Sequence, residues 1–500
     1  MKASSSRRSF LKIALIGGGA AVLAACGSAA PTEAPKAAGS SAPAGGAAPA
    51  ANAAPTATSP ADAAVAKATA AVAATPAAAA ANPGAPKITI EFLHQWTPDQ
   101  GGGGRAMVAL AKRYGEIKPN VTINQTIVPG TEYEKKQLAA FASGAVPDMT
   151  LTDAEHMPVY SDKGAFVALD DYMKRDKLNP KDWFDFAIAQ CSWQGKLYAM
   201  THHPDVRMIV YRNVPLMQEA GLDGSKAPES WDDMKSWGLK MNKKEGNRTT
   251  QYGWVPMWVQ GWWGIDFPQA NGSTFLSDDG KKITYDTPTT VEALDYVVKA
   301  TDEINGGRDK VVEFDGGQPD KGQQNVYGNA GLGIAIGGNW YLDRIANVSK
   351  NDKALKSQIS MMPGGPSAKG KQFMFGGGTM DVVVKGAKQQ DAAWDYTSWI
   401  ALPEGQYIAQ SVSFDVGGNR EGAQDKRIVD NYLLRKDVLP MFDKATAMQH
   451  FYSPAWLPMR DEVVRVQDAM LLKQMTPAQG AKELQTKLQG LLDDYWSKKK

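Results

Sequence analysis

The 500-residue sequence contains only two cysteines, Cys26 and Cys191. Cys26 ends an N-terminal segment with the features of an export signal, which leaves Cys191 without a partner for a disulfide bond. Disulfides are therefore not expected to stabilise the fold. From about residue 87 the chain has more than 400 residues, enough for a large core and more than one lobe.

The sequence also lacks an excess of charge of either sign, since 55 lysines and arginines accompany 53 aspartates and glutamates. A protein that binds nucleic acid needs a basic surface that neutralises phosphates. The balanced charge therefore argues against nucleic acid as a partner.

The apolar run at the N-terminus, Ile13 to Ala25, is shorter than the roughly 20 residues that span a bilayer. It follows Arg7 and Arg8 and ends in small residues, as in a cleaved export signal. We predict a signal peptide over residues 1–25 and no transmembrane helix in the mature protein. The paired arginines resemble the twin-arginine signal, which exports folded proteins; a chance basic pair is the alternative.

The residues Leu23-Ala24-Ala25-Cys26 resemble a lipobox. The resemblance implies diacylglyceryl transfer to the Cys26 sulfur and cleavage just before it. Two or three acyl chains, at about 0.8 kcal/mol per buried methylene, hold a soluble domain at a membrane. We therefore predict a lipid anchor at Cys26 on the extracytoplasmic face of the cell membrane, with a structural cysteine as the alternative.

Residues 26–86 have few large apolar side chains and consist mainly of Ala, Pro, Gly, Ser and Thr. Such a segment cannot bury enough surface to offset the entropy lost on ordering. We predict that it is a disordered tether between the lipidated cysteine and a folded domain.

From Lys87 the pattern becomes that of a folded domain. Ile88, Ile90 and Phe92 alternate with polar residues, which is the period of a half-buried strand. A stretch of helical spacing follows, and the alternation returns at Val121. This succession of strands and helices predicts an α/β fold with a parallel sheet and right-handed crossovers.

Three hydroxyl residues mark predicted helix starts. Thr131 is followed by Glu134, and Thr476 by Gln479, which is the pattern of a capping box. Ser230 precedes a third predicted helix. Each hydroxyl is expected to accept a hydrogen bond from the first turn of its helix.

Several short segments carry more information by their order and spacing than any of them does alone. They are ITIEFLHQW at 88–96, GKLYAM at 195–200, RMIVYRN at 207–213, EAGLD at 219–223, PESWDDM at 228–234, GLGIAIGGNW at 331–340 and MPGGP at 362–366. Together they resemble family 1 extracellular solute-binding proteins, the sugar-binding group that includes maltose-binding protein. The resemblance covers most of the chain.

The resemblance implies a type II periplasmic-binding-protein fold, in which two α/β lobes close over a solute in the cleft between them. On this chain it implies an N-terminal lobe of residues 87–203 plus 370–411 and a C-terminal lobe of residues 204–369 plus 412–500. It also implies that a monomer without a cofactor captures a carbohydrate, an oligosaccharide in particular, and delivers it to the permease subunits of an ABC importer.

Candidate site residues follow two of the predicted strands. Ligands of open α/β sheets bind beyond the carboxyl ends of the strands. Gln95 and Trp96 follow the first strand, and Asp153, Glu155 and His156 follow the third. Carboxylates and amides bond to sugar hydroxyls, and flat rings stack on the C–H faces of a sugar. We predict these five residues at the site.

Tryptophan is concentrated in one segment, where Trp254, Trp258, Trp262 and Trp263 supply four of the fourteen in the protein. We predict that at least one of the four stacks on solute, although each of them can instead be a core residue. The resemblance also implies a solute contact for Trp340, again with core packing as the alternative.

The remaining candidates come from predicted crossings, turns and helices. Asp205 and Arg207 are expected where the chain crosses between lobes, either to bind hydroxyls or a carboxylated sugar or to form a structural ion pair. Gly377 is expected to let the backbone approach the ligand or to form a turn. The other predicted site residues are Tyr133, Arg420 and Trp456.

The sequence also bears on whether the protein binds a metal ion, has a different function or takes an anionic solute. His202 and His203 lack a spaced set of further ligands, so no metal site is predicted. Paired carboxylates keep a secreted glycoside hydrolase as an alternative function, and a surface sugar sensor without a permease is another. An anionic cargo is the alternative solute, for which Arg207, His156 or Arg420 would supply the charge.

Overall fold

The computed structural model describes residues 85–98, 101–259, 261–318, 321–347, 356–432, 434–446 and 451–499. The predicted signal peptide, Cys26 and the predicted tether up to residue 84 lie outside the described residues. Within those residues, no helix combines the length and the apolar character needed to cross a membrane.

The described chain alternates strands and helices. The strands are β1 (Ile88–His94), β2 (Val121–Ile127), β3 (Met149–Asp153), β4 (Ser192–Trp193), β5 (Lys196–Leu197), β6 (Ala199–Arg207), β7 (Ile209–Asn213), β8 (Lys243–Glu245), β9 (Arg248–Trp254), β10 (Leu332–Gly337), β11 (Ser357–Pro363), β12 (Gln372–Phe373) and β13 (Phe375–Val383). The α-helices are α1 (Gly102–Ile117), α2 (Thr131–Ser143), α3 (Met157–Asp162), α4 (Asp170–Arg175), α5 (Asp185–Gln190), α6 (Val214–Glu219), α7 (Trp231–Met241), α8 (Trp263–Ala270), α9 (Pro288–Asn305), α10 (Arg308–Gly316), α11 (Gln323–Gly328), α12 (Tyr341–Asn347), α13 (Gln390–Ala401), α14 (Pro403–Ser413), α15 (Arg420–Ala423), α16 (Lys426–Val429), α17 (Arg435–Phe442), α18 (Trp456–Leu471) and α19 (Pro477–Lys498).

The first sheet has the strand order β2-β1-β3-β13-β6. Strands β1, β2 and β3 are parallel, as predicted, whereas β13 pairs antiparallel with both β3 and β6. The predicted alternation in β1 is confirmed: Ile90 and Phe92 are buried, while Thr89 and Glu91 face solvent. Helices α1, α13 and α14 pack on this sheet or on one another.

The second sheet has the order β12-β11-β7-β10-β9-β8. Its central strand β10 pairs parallel with β9 and antiparallel with β7. All six residues of β10 are buried, because helices α7 and α11 pack on the sheet. We call the first sheet with α1–α5 and α13–α16 lobe 1, and the second sheet with α6–α12, α18 and α19 lobe 2.

Two of the connections between the lobes are a single residue long. Met208 separates β6 from β7 and has φ of 71°, a left-handed conformation that turns the chain from one sheet to the other. Met374 separates β12 from β13 on the return. These crossings lie five residues after the predicted boundaries at 203 and 369.

The third predicted boundary, after residue 411, does not match the packing. Residue 412 lies inside α14, and the short helices α15 and α16 that follow pack on α14 of lobe 1. Helix α17 contacts both α16 and β11. The chain therefore passes to lobe 2 later than predicted, because the segment after α14 first packs against that helix.

Two of the three predicted helix caps are confirmed. Ser230 and Thr476 each form a capping box, with Asp233 and Gln479 respectively. The prediction at Thr131 was wrong: α2 already begins at that residue, and the N-cap position is Gly130, with φ of 68°.

Candidate functional site

A cavity of about 350 Å³ is lined by residues of both lobes. The predicted site residues that line it are Gln95, Trp96, Asp153, Asp205 and Trp340. The lining residues that were not predicted are Thr97, Gly101, Gly102, Gly103, Gly104, His203, Gln324, Asp343, Arg344, Thr379 and Asp415.

The strand register of the first sheet brings four polar residues of the cavity together, and we call them the floor: Asp153, His203, Asp205 and Thr379. Thr379 on β13 is the partner of Asp153 on β3 and of His203 on β6. Asp205 lies two residues further along β6, opposite Gly377. The Thr379 hydroxyl donates a hydrogen bond to Asp153 Oδ1 at 3.3 Å. Three neighbouring strands therefore place two carboxyls, one hydroxyl and one imidazole at the same place.

His203 lies between two carboxylates. Its Nε2 is 2.5 Å from Asp415 Oδ2, and its Nδ1 is 3.4 Å from Asp205 Oδ1. Burial disfavours the imidazolium, but the charge of Asp415, the hydrogen bond to it and the charge of Asp205 raise the pKa of His203 to about 10. His203 is therefore a buried cation at neutral pH, and it donates its Nε2 proton to Asp415.

The two aspartates of the floor hold their protons more tightly than exposed aspartates do. Burial raises the pKa of Asp205 to about 7, although the charges of His203 and Arg207 lower it. Burial and the charge of Glu155 likewise raise the pKa of Asp153. Near neutral pH Asp205 exchanges between a hydrogen-bond acceptor and a carboxylic acid that also donates.

Trp96 lines the cavity from lobe 1. It follows β1, and its backbone N–H donates to His94 Nδ1 over 3.3 Å. The centroid of its ring system lies 5.2 Å from that of the His203 imidazole. A Cβ at Gly103 would lie 2.7 Å from the Trp96 indole. Glycine at position 103 therefore allows the first turn of α1 to pack against the indole.

Trp340 lines the same cavity from lobe 2. It follows β10 in the turn Gly338-Asn339-Trp340. A Cβ at Gly338 would lie 1.8 Å from the indole, which leaves room for glycine alone. Asn339 Oδ1 accepts a hydrogen bond from the Val206 N–H at 2.8 Å, and this bond ties the turn to β6 of lobe 1. One indole from each lobe therefore lines the cavity.

A profile of the family described as bacterial extracellular solute-binding protein matches residues 97–407. The chain belongs to this family. The match confirms the predicted family.

Solved structures of solute-binding proteins share this fold at low sequence identity. CpMnBP1 with mannotriose bound is 24% identical, with a TM-score of 0.69 over 80% of this chain and 99% of that chain. The GacH receptor of Streptomyces glaucescens, solved unliganded and with acarbose, is 18% identical, with a TM-score of 0.67 over 82% of this chain and 100% of that one. Maltose-bound MalE3 of T. maritima is 16% identical, with a TM-score of 0.66 over 81% and 100%. The predicted two-lobed α/β fold is confirmed.

Three predicted residues of this solute-binding protein lie beside the floor without lining the cavity. Arg207 Nη2 is 4.0 Å from Glu155 Oε2, and both side chains are largely buried. The charge of Arg207 lowers the pKa of both Asp205 and Asp153. His156 is buried with its ring edge toward Tyr160. The ion-pair partner of Arg207 is Glu155, and whether Arg207 also binds solute stays a prediction.

Four predicted aromatic residues lie in the hydrophobic core: Tyr133, Trp254, Trp263 and Trp456. The Tyr133 hydroxyl donates to Leu151 O at 2.5 Å. Trp254 packs against Phe267, and Trp456 stacks on Phe451. Their burial leaves no ring face for a solute, so we remove all four from the proposed site.

The other two tryptophans of the dense segment are half-buried. Trp258 packs against Phe314, and Trp262 packs against Trp456. Neither lines the cavity. The expectation that one of the four stacks on solute therefore finds no support in this geometry, because their side chains complete the packing of lobe 2.

Gly377 and Arg420 do not line the cavity either. Gly377 lies within β13, and its carbonyl accepts a hydrogen bond from Gln190 Nε2 at 2.6 Å. Arg420 donates to Trp183 O at 3.1 Å and forms an ion pair with Asp443. Its charge is thus neutralised outside the cleft, which removes it as a ligand for an anionic solute.

Sequence reasoning missed Asp343 and Asp415 and considered His203 only as a metal ligand. Asp343 has a local signal in the sequence. It follows Trp340 by three residues, which is about one turn of an α-helix, so the two side chains are expected on the same side. Asp415 has none, because it follows a helix and meets His203 across 212 positions.

Proposed function

We propose that this solute-binding protein captures a carbohydrate, an oligosaccharide in particular, and delivers it to the membrane permease of an ABC importer. The observation that carries the proposal is that Trp96 of lobe 1 and Trp340 of lobe 2 line one cavity. A sugar ring presents C–H faces that stack on indoles and hydroxyls that need donors and acceptors. Two indoles on separate lobes can each take a face of the solute.

The polar lining supports the same class of solute. Gln95 Oε1 and Asp415 Oδ1 are buried oxygens with no hydrogen bond within the described part of the chain. A buried acceptor without a donor costs about 1–3 kcal/mol, and a solute hydroxyl would recover that cost. Asp153 and Asp205 add two carboxyls to the floor. Acidic groups outnumber basic ones along the lining, which favours a neutral sugar over an anionic one.

The similar proteins support a carbohydrate as well. CpMnBP1 was solved with mannotriose, MalE3 with maltose and the GacH receptor with acarbose. In our proposal the solute binds both lobes and so shifts the population toward the closed form, which the permease recognises. The role is binding without turnover.

Isothermal titration of the full chain with mannotriose and maltose tests the proposal, with glucuronate and sn-glycerol 3-phosphate as anionic comparisons. Saturable binding of a neutral oligosaccharide supports it. Binding of the anionic compounds alone would contradict the neutral carbohydrate. Release of shorter sugars, followed by chromatography after incubation with mannotriose, would contradict a binding role and favour a hydrolase.

We further propose that the protein is exported through its Arg7-Arg8 signal, lipidated at Cys26 and held at the extracytoplasmic face as a monomer. The sequence Leu23-Ala24-Ala25-Cys26 supports the anchor. Cell fractionation tests it: the Cys26→Ala protein should leave the membrane fraction, whereas Cys191→Ala, at the buried second cysteine, should stay in it. A membrane-bound Cys26→Ala protein would contradict the anchor.

A further inference from the structure

The carboxyls of the cavity differ in the cations that accompany them. Four aspartates line the cavity: Asp153, Asp205, Asp343 and Asp415. Asp343 forms an ion pair with Arg105, and Asp415 accepts a hydrogen bond from the His203 imidazolium at 2.5 Å. The other two aspartates, both in the floor, therefore determine the charge that a bound solute would meet.

These two aspartates of the floor have no basic side chain to themselves. Within the described residues Asp153 forms no ion pair, and Asp205 forms only the longer contact of His203, at 3.4 Å. The charge of Arg207 lowers the pKa of both carboxyls, but Arg207 forms its ion pair with Glu155. One guanidinium is thus shared among three carboxyls.

The lining also has buried oxygens that need a donor. Three acceptor oxygens of the lining form no hydrogen bond within the part of the chain that the structure describes: Gln95 Oε1, Asp205 Oδ1 and Asp415 Oδ1. Asp205 is 9% exposed and Asp415 is 3% exposed. A hydroxyl brings one donor, whereas an ammonium group brings three and a positive charge. The lining therefore suits a solute that is rich in donors.

Burial makes the negative charge of the floor costly without a cation. It raises the pKa of Asp205 to about 7 and also raises the pKa of Asp153. A cation bound beside these carboxyls would stabilise their ionised forms. The excess of acid that disfavours an anionic solute therefore favours a cationic one.

The two indoles of the cavity indicate an organic cation. Trp96 and Trp340 line the same cavity as the two aspartates. The face of an indole attracts a positive charge and also stacks on the C–H face of a sugar. Within the described residues, no three acidic, histidine or cysteine side chains are arranged to hold a metal ion. An amine on a sugar ring would use both the carboxyls and the indoles.

We propose that the solute is an amino sugar, whose protonated amine lies against Asp153 and Asp205 while a sugar ring stacks on an indole. This inference rests on the proposed function and narrows the carbohydrate to one that carries an amine. A hydrogen bond from an ammonium group to a carboxylate is stronger than one from a neutral hydroxyl. The protein should therefore prefer the amine over a hydroxyl at the same carbon.

Titration calorimetry of the full chain with three matched disaccharides tests this preference. Two β-1,4-linked glucosamines, their N-acetylated form and cellobiose differ only at the second carbon of each ring. At about pH 7, where an amine with a pKa of about 8 is mostly protonated, the glucosamine disaccharide should bind about tenfold more tightly than cellobiose. The acetylated form should lose this gain, because acetylation removes the charge. Glucosamine and glucose repeat the comparison without a linkage.

Variants of the floor assign the preference to its carboxyls. Asp153→Asn and Asp205→Asn should each bring the affinity ratio of the amino sugar to the neutral sugar toward one. Asp279→Asn, at an exposed carboxylate, should keep the ratio. The ratio is informative because damage to the fold would weaken both sugars alike. An unchanged ratio in both floor variants would overturn the assignment.

Failure of this inference can be told apart from failure of the proposed function. If mannotriose or cellobiose binds and the amine gives no gain in either pair of sugars, the amino sugar is excluded and the carbohydrate role stands. If the protein binds neither neutral nor amino sugars, the carbohydrate role is excluded, and the amino sugar with it.

Discussion

His203 Nε2 lies 2.5 Å from Asp415 Oδ2, although the two residues are 212 positions apart in the chain. The pair connects β6 to the segment after α14, and both residues line the cavity. Because Asp205 flanks the other ring nitrogen, the imidazolium lies between two carboxylates. This charged pair connects the floor of the cavity to the segment that packs on α14 of lobe 1.

The first prediction is that the free energy of unfolding falls as pH rises from about 7 to about 9. His203 has a pKa of about 10 in the folded protein, above its ordinary value of 6.5. Its contribution is therefore complete below about pH 6.5 and is lost as pH rises toward 10, by at most about 1.4 kcal/mol per pH unit. Denaturant unfolding at several pH values measures it.

The control for this prediction uses a second histidine. His203→Gln should flatten the pH dependence over this interval. His94→Gln should leave the slope unchanged, since burial lowers the pKa of His94 and that residue is neutral throughout. An unchanged slope in His203→Gln would mean that other groups cause the pH dependence.

The second prediction concerns solute affinity and pH. Asp205 has a pKa of about 7, so it loses its charge when pH falls from about 8 to about 6. If a sugar hydroxyl donates to the carboxylate, mannotriose should bind several-fold more weakly at the lower pH. Titration calorimetry with Asp205→Asn should show no such change, whereas Asp279→Asn, at an exposed carboxylate, should keep it. Equal pH dependence in all three proteins would remove Asp205 from solute recognition.

The third prediction is that Trp340→Ala weakens mannotriose binding about tenfold, which corresponds to about 1.4 kcal/mol. The indole lines the cavity, and its loss removes one stacking surface. Trp258→Ala is the matched control, because Trp258 is also half-buried in lobe 2 but packs on Phe314. Calorimetry should find the control affinity unchanged. An unaltered affinity in Trp340→Ala would exclude its ring from the site.

The fourth prediction is that Gly338→Ala weakens binding while leaving the protein folded. The added Cβ would lie 1.8 Å from the Trp340 ring, so the ring must move. Gly490→Ala is the control, since a Cβ there meets nothing within 4 Å. Circular dichroism and mannotriose titration of both variants check this. A Gly338→Ala protein with normal affinity would show that the ring position does not matter.

Local signals in the sequence predicted much of the fold. The alternation at Ile90 and Phe92 identified β1, and the hydroxyls of Ser230 and Thr476 identified two helix starts. The prediction failed at Thr131, because hydroxyl and carboxylate spacing does not reveal that α2 starts one residue earlier than a Thr131 cap requires. The sequence also placed the lobe boundary after residue 411 too early. The contacts of α15 and α16 with α14 produce no periodic pattern in the sequence that could have predicted them.

The sequence by itself determined which residues end the strands, and so it located Gln95, Trp96 and Asp153 at the cavity. Composition could not separate Trp340, which lines the cavity, from Trp254, which lies in the core, because an indole is equally suited to both environments. Only the tertiary structure decided that Asp343 meets Arg105 and that Asp415 meets His203. Those pairs depend on the packing of separate elements, and no local preference of the chain encodes such long-range contacts.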